Sequence, residues 1–329
     1  MRSPHVQVTI NLDQVRASAE AIRHKTGVGL IAVIKADAYG LGAPRIADVL
    51  AGVVSEFAYF SVHEAREVGR PGLILGPPEG DAAEFRELNL RPAVANRAAA
   101  AKFAGLRVAV KVDTGMQRFG CPPEDLDDLV ARCEVEDFFS HAVTTAAIER
   151  LRVACAGRGR PIHAAATCLL NQPDTWFDAV RPGLALYRGS MRVTARLQSV
   201  RDTSGPVGYT GFRWPRVGVL LAGYSNFVQP GPVLINGRPQ RLLEIGMNTC
   251  FVSVDPRDKP GDEVVLLGDG LSEATLAHEF GCREHEILCR YGAMGPRQYD
   301  SKGSPLCACA ASAVLDAAAV QSVKCKVQS

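Results

Sequence analysis

Eight short apolar runs punctuate the first 185 residues, each followed by a stretch with helical spacing, and this alternation constrains the fold more than any other feature. The runs are 29–34, 57–62, 72–75, 91–95, 108–112, 138–141, 162–165 and 177–180, with helical patterns at 44–51, 81–88, 97–104, 124–133 and 146–156. Parallel neighbours need a long crossover, and helices supply it. Eight such units close most naturally into a (β/α)8 barrel.

Beyond Leu186 the texture changes to alternating strands separated by Gly- or Pro-centred turns: 193–200, 216–221, 233–235, 241–245, 251–254 and 263–267. Asn236-Gly237 between two apolar runs is a strong hairpin signal. One helix is expected over 271–278. The fold class is therefore α/β, a (β/α)8 barrel followed by a mostly antiparallel β domain. The expected division is an N-terminal strand at 1–10 joining the β domain, a barrel at 11–190, the β domain at 191–299, and a tail at 300–329. That tail reads as a loose helix over 310–320 or a disordered segment. At roughly 150 residues per domain, 329 residues suit such a two-domain chain.

Lys+Arg 37 against Asp+Glu 35 leaves a net charge of +2, which lacks the electrostatic footprint of a phosphate-backbone binder. Nucleic acid is not an expected partner. No apolar run reaches 18 residues and no signal-peptide core follows Met1, so the expected location is the cytoplasm, away from any membrane. Ten cysteines at irregular spacings, with no CxxC pair, suit reduced thiols better than disulfides or zinc. Cys307 and Cys309, with Cys325, could bind a soft metal or oxidise, although a tail is more often unstructured. His278, Cys282 and His285 stand at i, i+4 and i+7, but Gly281 interrupts the helix, and no metal is expected.

Reactive groups of a (β/α)8 barrel gather at the C-terminal ends of its strands, and here those ends are polar. Ile31-Ala32-Val33-Ile34 runs into Lys35; strand five ends Lys111-Val112-Asp113-Thr114-Gly115; strand six ends in His141. Strand seven carries His163 with Thr167 after it, and strand eight ends Arg181-Pro182-Gly183. A lysine behind four apolar residues is desolvated, which favours its neutral, nucleophilic form and suits it for a Schiff base. The alternative is a lysine that only snorkels from the rim.

The segment Lys35-Ala36-Asp37-Ala38-Tyr39-Gly40-Leu41-Gly42 resembles the pyridoxal-phosphate lysine motif of the alanine racemase family. Val112-Asp113-Thr114-Gly115-Met116-Gln117-Arg118-Phe119-Gly120 is similar to the family's D-T-G-M-x-R-x-G segment, and Arg181-Pro182-Gly183-Leu184-Ala185-Leu186-Tyr187 to its R-P-G-x-x-L-Y segment. Pro232 to Arg238 and Gly261 to Val264 resemble parts of its β domain, so the likeness runs from residue 5 to about 297.

The resemblance implies a fold-type III, pyridoxal 5'-phosphate-dependent isomerase that interconverts the L and D forms of a small amino acid, alanine by default. Lys35 would serve as base on one face of the substrate, and Tyr209 of a second subunit on the other, so a homodimer is implied. Arg181 would stand at the pyridine nitrogen, where a fixed cation disfavours ring protonation and makes the ring a weaker electron sink. His163 would buttress Arg181, and His141 would contact Arg181 and Tyr209. The cofactor phosphate would be held by Tyr39, Thr167, the backbone N–H groups of Gly183 and Leu184, and Tyr291. Arg118 and the Met247 backbone N–H would take the substrate carboxylate. Lys111 matches a lysine that many members carry as a carbamate, an anion able to orient Arg118.

Three departures from the family pattern bear on substrate fit. His163-Ala164-Ala165-Ala166-Thr167 replaces H-x-A-N-S, Asn248 replaces an Asp after Met247, and Asn226 replaces the Asp of G-Y-A-D-G; the interval from His141 to His163 is also short. Other readings are a racemase for serine or a basic amino acid, an amino-acid decarboxylase, in which a glutamate would stand in place of Arg181, and a non-catalytic pyridoxal-phosphate-binding homologue.

Overall fold

The computed structural model describes residues 2–301, and the tail helix and tail cysteines considered above lie outside them. After β1 (Gln7–Asn11) come eight parallel strands: β2 (Gly29–Val33), β3 (Glu56–Tyr59), β4 (Gly72–Ile74), β5 (Leu90–Val94), β6 (Arg107–Lys111), β7 (Glu134–Ala142), β8 (Ile162–Ala165) and β9 (Ala179–Val180). Each pairs with the next, and β9 pairs back onto β2, closing the barrel that the βα rhythm predicts.

The strands hold because their residues are apolar on both faces, as parallel strands covered by helices must be. Val108, Ala109 and Val110 in β6 and Ala32 in β2 are buried almost completely. Four helices begin at the mouth of the barrel with side-chain caps: Ser61, Asp81, Asn96 and Thr144 each accept a backbone N–H from the first turn. The C-terminal ends of the strands are thereby tied to helix N-termini.

Local readings needed correction where a single residue decides the backbone. The strand expected at 57–62 stops at Tyr59, because Ser61 and Glu64 form a capping box that starts helix Val62–Val68. The strand expected at 177–180 shrinks to two residues, since Phe177 adopts φ +51°, outside the β region. The helix expected at 124–133 divides into a 3-10 turn, Pro123–Asp125, and a helix, Leu126–Val130. Helix Leu12–Thr26, which buries Val15, Ala19 and Ile22, went unread because its mixed polar face hides the period.

The second unit is an eight-stranded sheet of β1 with β10 (Met191–Asp202), β11 (Arg216–Leu220), β12 (Gly231–Ile235), β13 (Arg238–Ile245), β14 (Cys250–Ser253), β15 (Glu263–Leu267) and β16 (Arg297–Asp300). Its order is β11-β14-β13-β12-β15-β10-β1-β16, and β11 also pairs with β10, so six strands form a ring. The β12–β13 hairpin turns at Asn236 and Gly237, both with positive φ, as the Asn-Gly signal predicts. β16, which was not expected, lies parallel to β1.

The helix expected at 271–278 spans Glu273–Phe280, capped by Ser272 and ended by left-handed Gly281; a second helix, Glu284–Tyr291, follows. His278 therefore lies on a different helix from His285, and no group of three metal-ligating side chains exists among the described residues. No described helix is long and apolar enough to cross a membrane.

Candidate active site

Lys35 follows β2 and buried Ile34, and the backbone beyond it is unusual. Ala36, Asp37, Ala38 and Tyr39 all adopt left-handed helical angles, with φ of 53°, 55°, 51° and 58°. For L-residues each costs about 1–2 kcal/mol, so something must hold the run. Asp37 closes it: its carbonyl accepts Gly42 N–H at 2.9 Å and its Oδ1 accepts Ala43 N–H at 2.7 Å. Glu64 clamps its start, with Oε1 accepting Ala36 N–H at 2.9 Å and Oε2 accepting Phe60 N–H at 2.6 Å. Glu64 escaped the sequence reading, although Ser61-x-x-Glu64 is a recognisable capping box.

Around Lys35 the strand ends carry a set of cations. Lys111 closes β6 only 7% exposed, donates to the Leu75 carbonyl at 2.9 Å, and lies over the rings of Phe119 and Phe139. Burial, reinforced by Arg181, Arg118 and Lys35, lowers its pKa to about 8, while Asp113 works the other way. Asp113 is itself committed to the loop that carries Arg118, accepting the N–H groups of Gly115 and Gln117. Burial and the charges of Arg181, Arg118, Lys35 and Lys111 push His141 down to about 4, so its imidazole is neutral at physiological pH.

Arg181, 4% exposed just beyond β9, donates through Nη2 to the carbonyls of Ser140 and Ala164 and lies 5.0 Å from the centre of the Phe139 ring. His163, 2% exposed on β8, sits between an aromatic ring and a carboxylate. Its ring stacks on that of Phe139, and its Nε2 stands 3.3 Å from Asp137 Oδ2. Asp137 was also missed, though an acid inside an apolar strand was the signal. Thr167 Oγ1 accepts Ala185 N–H at 3.1 Å, beside the Gly183-Leu184 start of the short helical turn Leu184–Tyr187.

The other predicted residues lie in the β unit. Tyr39 packs 5.2 Å from the Tyr187 ring, and burial with Cys289 nearby raises its pKa to about 12, so it is a neutral donor. Tyr291 is buried, and its pKa is likewise raised. Tyr209 is 92% exposed on a loop whose Tyr209 and Thr210 N–H groups bond to Glu244; Tyr224 and Met247 are exposed too. Asn226, which replaces the Asp of the family's G-Y-A-D-G, is buried and accepts the Gly223 N–H, so it secures the Tyr224–Asn226 turn. Of the two amides only Asn248 is exposed.

Comparison with known proteins decides the family. "Alanine racemase, N-terminal domain" matches residues 10–191 and "Alanine racemase, C-terminal domain" residues 191–299. The chain belongs to the alanine racemase family, a family of isomerases. It is 31% identical to an alanine racemase of Xanthomonas campestris, over 90% of this chain and 98% of that protein. It resembles the crystal structure of the biosynthetic alanine racemase from Pseudomonas aeruginosa, with TM-score 0.81 and 26% identity, covering 91% of this chain and all of that one. The fold also matches, at 22% identity and TM-score 0.81, an alanine racemase of Bartonella henselae described with covalently bound pyridoxal phosphate; 91% of this chain and 100% of that chain are covered. The family in general depends on that cofactor.

The barrel residues suit such an anionic cofactor. The charges of Arg181, Arg118, Lys35 and Lys111 all act on His141, a setting that suits a phosphate and a carboxylate. Lys35, Thr167 and Arg181 provide an amine, a hydroxyl and a fixed cation there.

Proposed function

We propose that this chain racemises alanine, using pyridoxal 5'-phosphate held at Lys35 and two bases, Lys35 and Tyr209 of a second copy. The carrying observation is the lysine at the end of β2, seated before a strained left-handed turn and among Lys111, Arg118 and Arg181. The bound cofactor would withdraw electrons from the substrate and acidify its Cα–H. The rest falls to the chain itself.

Lys35 Nζ, at the mouth of the barrel among Lys111, Arg118 and Arg181, takes or returns the Cα proton on one face. Tyr209 Oη serves the opposite face. Full exposure is the wrong state for a base acting on a carbon acid, since water competes and disperses its charge. A second copy that covers Tyr209 removes that water, and the exposed Tyr224, Phe227 and Met247 of the β unit give this copy an apolar surface to cover. The barrel mouth has exposed apolar residues of its own in Phe60, Met116, Phe119 and Val143. A head-to-tail homodimer satisfies both patches.

Arg118 binds the substrate carboxylate, joined by the Met247 N–H. Arg181, a buried cation, would face the cofactor's pyridine nitrogen and disfavour its protonation. Neutral His141 would contact Arg181 and the second copy's Tyr209 and lower the cost of the phenolate. Thr167 and the backbone N–H groups of Gly183 and Leu184 would hold the phosphate, with Tyr39 and Tyr291 as further donors.

The test is incubation of purified, cofactor-loaded protein with L-alanine in deuterium oxide, followed by chiral chromatography and mass spectrometry. D-alanine carrying deuterium at Cα is expected. Release of carbon dioxide and an amine, or no exchange, overturns the reading.

A further inference from the structure

β7 places a carboxylate where the proposed reaction has no use for one. Asp137, 4% exposed inside the barrel wall, stands 2.9 Å from Arg91 Nη1 and 3.3 Å from His163 Nε2 through the same oxygen. Arg91, its side chain 12% exposed, also meets Glu56 and Glu136, and with Glu56 it lines a cavity of about 430 Å³ at the N-terminal end of the barrel. In the other direction His163 stacks on Phe139 at 5.3 Å, and that ring also carries the Arg181 guanidinium. A line of charge thus crosses the barrel from Glu56 and Arg91 through Asp137 and His163 toward Arg181.

We propose that Asp137 is a positioning residue for Arg181: it fixes the imidazole of His163 with its proton on Nε2 and supplies the counter-charge that holds the Arg181 guanidinium in place. The role at the cofactor rests on the reading of Arg181 given above; the arrangement of the three side chains does not.

The tautomer follows from the partners. A carboxylate only accepts, and a neutral imidazole has one donor and one acceptor, so the nitrogen facing Asp137 carries the proton. Burial lowers the His163 pKa, which keeps the ring neutral. Nδ1 is then a buried acceptor, and Arg181 Nε is a buried donor; neither has a partner in the protein. Burial also lowers the Arg181 pKa, and Asp137 opposes that change. Arg91 keeps two other carboxylates when Asp137 is removed, whereas Arg181 is left with its charge uncompensated in a dry site.

Nitrogen-15 NMR of the full-length protein tests this, with His163→Gln used to assign the ring signals. In the unsubstituted protein without cofactor, His163 is expected as the Nε2–H tautomer between about pH 6 and 8. In Asp137→Ala the tautomers mix, the Arg181 Nε–H exchanges with water at least tenfold faster, and the dissociation constant for pyridoxal phosphate, read by equilibrium dialysis, rises about tenfold. A lower melting temperature with tautomer, exchange and affinity unchanged reduces Asp137 to a packing role and overturns the proposal. If Asp137→Ala does not fold, the unsubstituted protein still decides, since an Nδ1–H or doubly protonated His163 also overturns it. Failure of the unsubstituted protein to bind pyridoxal phosphate sinks the racemase reading instead, and leaves the tautomer result standing on its own.

Discussion

Glu64 Oε1 accepts the backbone N–H of Ala36 at 2.9 Å, so a carboxylate on the helix after β3 fixes the residue next to Lys35. Its other oxygen holds Phe60 N–H at the end of β3. Two adjacent strand ends are thus tied through one side chain, and the left-handed run that begins at Ala36 is held at its origin.

Glu64→Ala should therefore cost about 2 kcal/mol of stability, because hydrogen bonds to a charged acceptor are lost and the strain of the turn is no longer opposed. Pyridoxal phosphate should also be retained less tightly. Glu64→Gln, which keeps one acceptor oxygen, should lose about half as much. Urea denaturation and equilibrium dialysis measure both effects, and an Ala variant as stable as its parent would show that the turn is held elsewhere.

Lys111 offers a chemical test. With a pKa near 8 it is about half unprotonated at pH 8, whereas an ordinary lysine is almost wholly charged. Competitive acetylation at that pH, followed by peptide mass spectrometry, should show Lys111 reacting faster than lysines whose amines keep the usual value. The same neutral amine can take up carbon dioxide, so a carbamate resonance in protein equilibrated with ¹³C-bicarbonate is expected, and Lys111→Arg should remove it.

How much of this was legible in the sequence depends on the range of the interaction. The barrel was readable because each strand announces itself by its own apolar run, and the Asn236-Gly237 turn because both residues supply positive φ. Lys35, Lys111, Arg118, His141 and Arg181 were identifiable as strand-end groups or from the family's motifs. Glu64 and Asp137 left local signals, a capping box and an acid in an apolar strand, but the partners of Asp137 and Arg91 did not. Their roles depend on which residues face them across the barrel, as Arg91 on β5 faces Asp137 on β7, and no local pattern carries that information. The burial of Asn226 was hidden for the same reason, since it follows from the fold of the Tyr224–Asn226 turn.

His141 makes stability depend on pH. Its pKa falls from 6.5 to about 4 on folding, so between those values the unfolded chain binds more protons than the folded one. Stability then rises with pH across that window and declines as pH drops from about 6.5 toward 4. His141→Gln should flatten this part of the profile, read as the change in urea midpoint between pH 4.5 and 7. An unchanged slope would mean that other groups carry it.

Tyr209 separates catalysis from folding. Because it is 92% exposed, Tyr209→Phe should change the stability of the isolated chain by less than about 0.5 kcal/mol. Racemisation should drop by about 10²–10⁴-fold, the range for loss of a general base. Mixing Lys35→Ala with Tyr209→Phe protein should restore part of the activity, since one site of the mixed dimer has both bases intact. Normal turnover in the single variant would place the second base elsewhere.

Substrate range is the last expectation, and the structure narrows its basis. The resemblance to the family implies that Tyr224 and Tyr291 narrow the entrance, which favours a small side chain. Asn226 does not bear on charge there, because it is buried within its turn, whereas Asn248 is exposed and accepts from the Ser225 hydroxyl at 2.9 Å. The removal of an acid therefore acts at Asn248 alone, and the strand ends of the barrel are themselves positive. A cationic side chain meets repulsion without a compensating carboxylate. Alanine is expected first, serine second, and lysine or arginine poorly used. Asn248→Asp should raise the specificity constant for lysine several-fold while changing that for alanine little. If the unsubstituted protein prefers lysine or arginine to alanine, the short interval between His141 and His163 has opened the pocket, and the ranking is wrong.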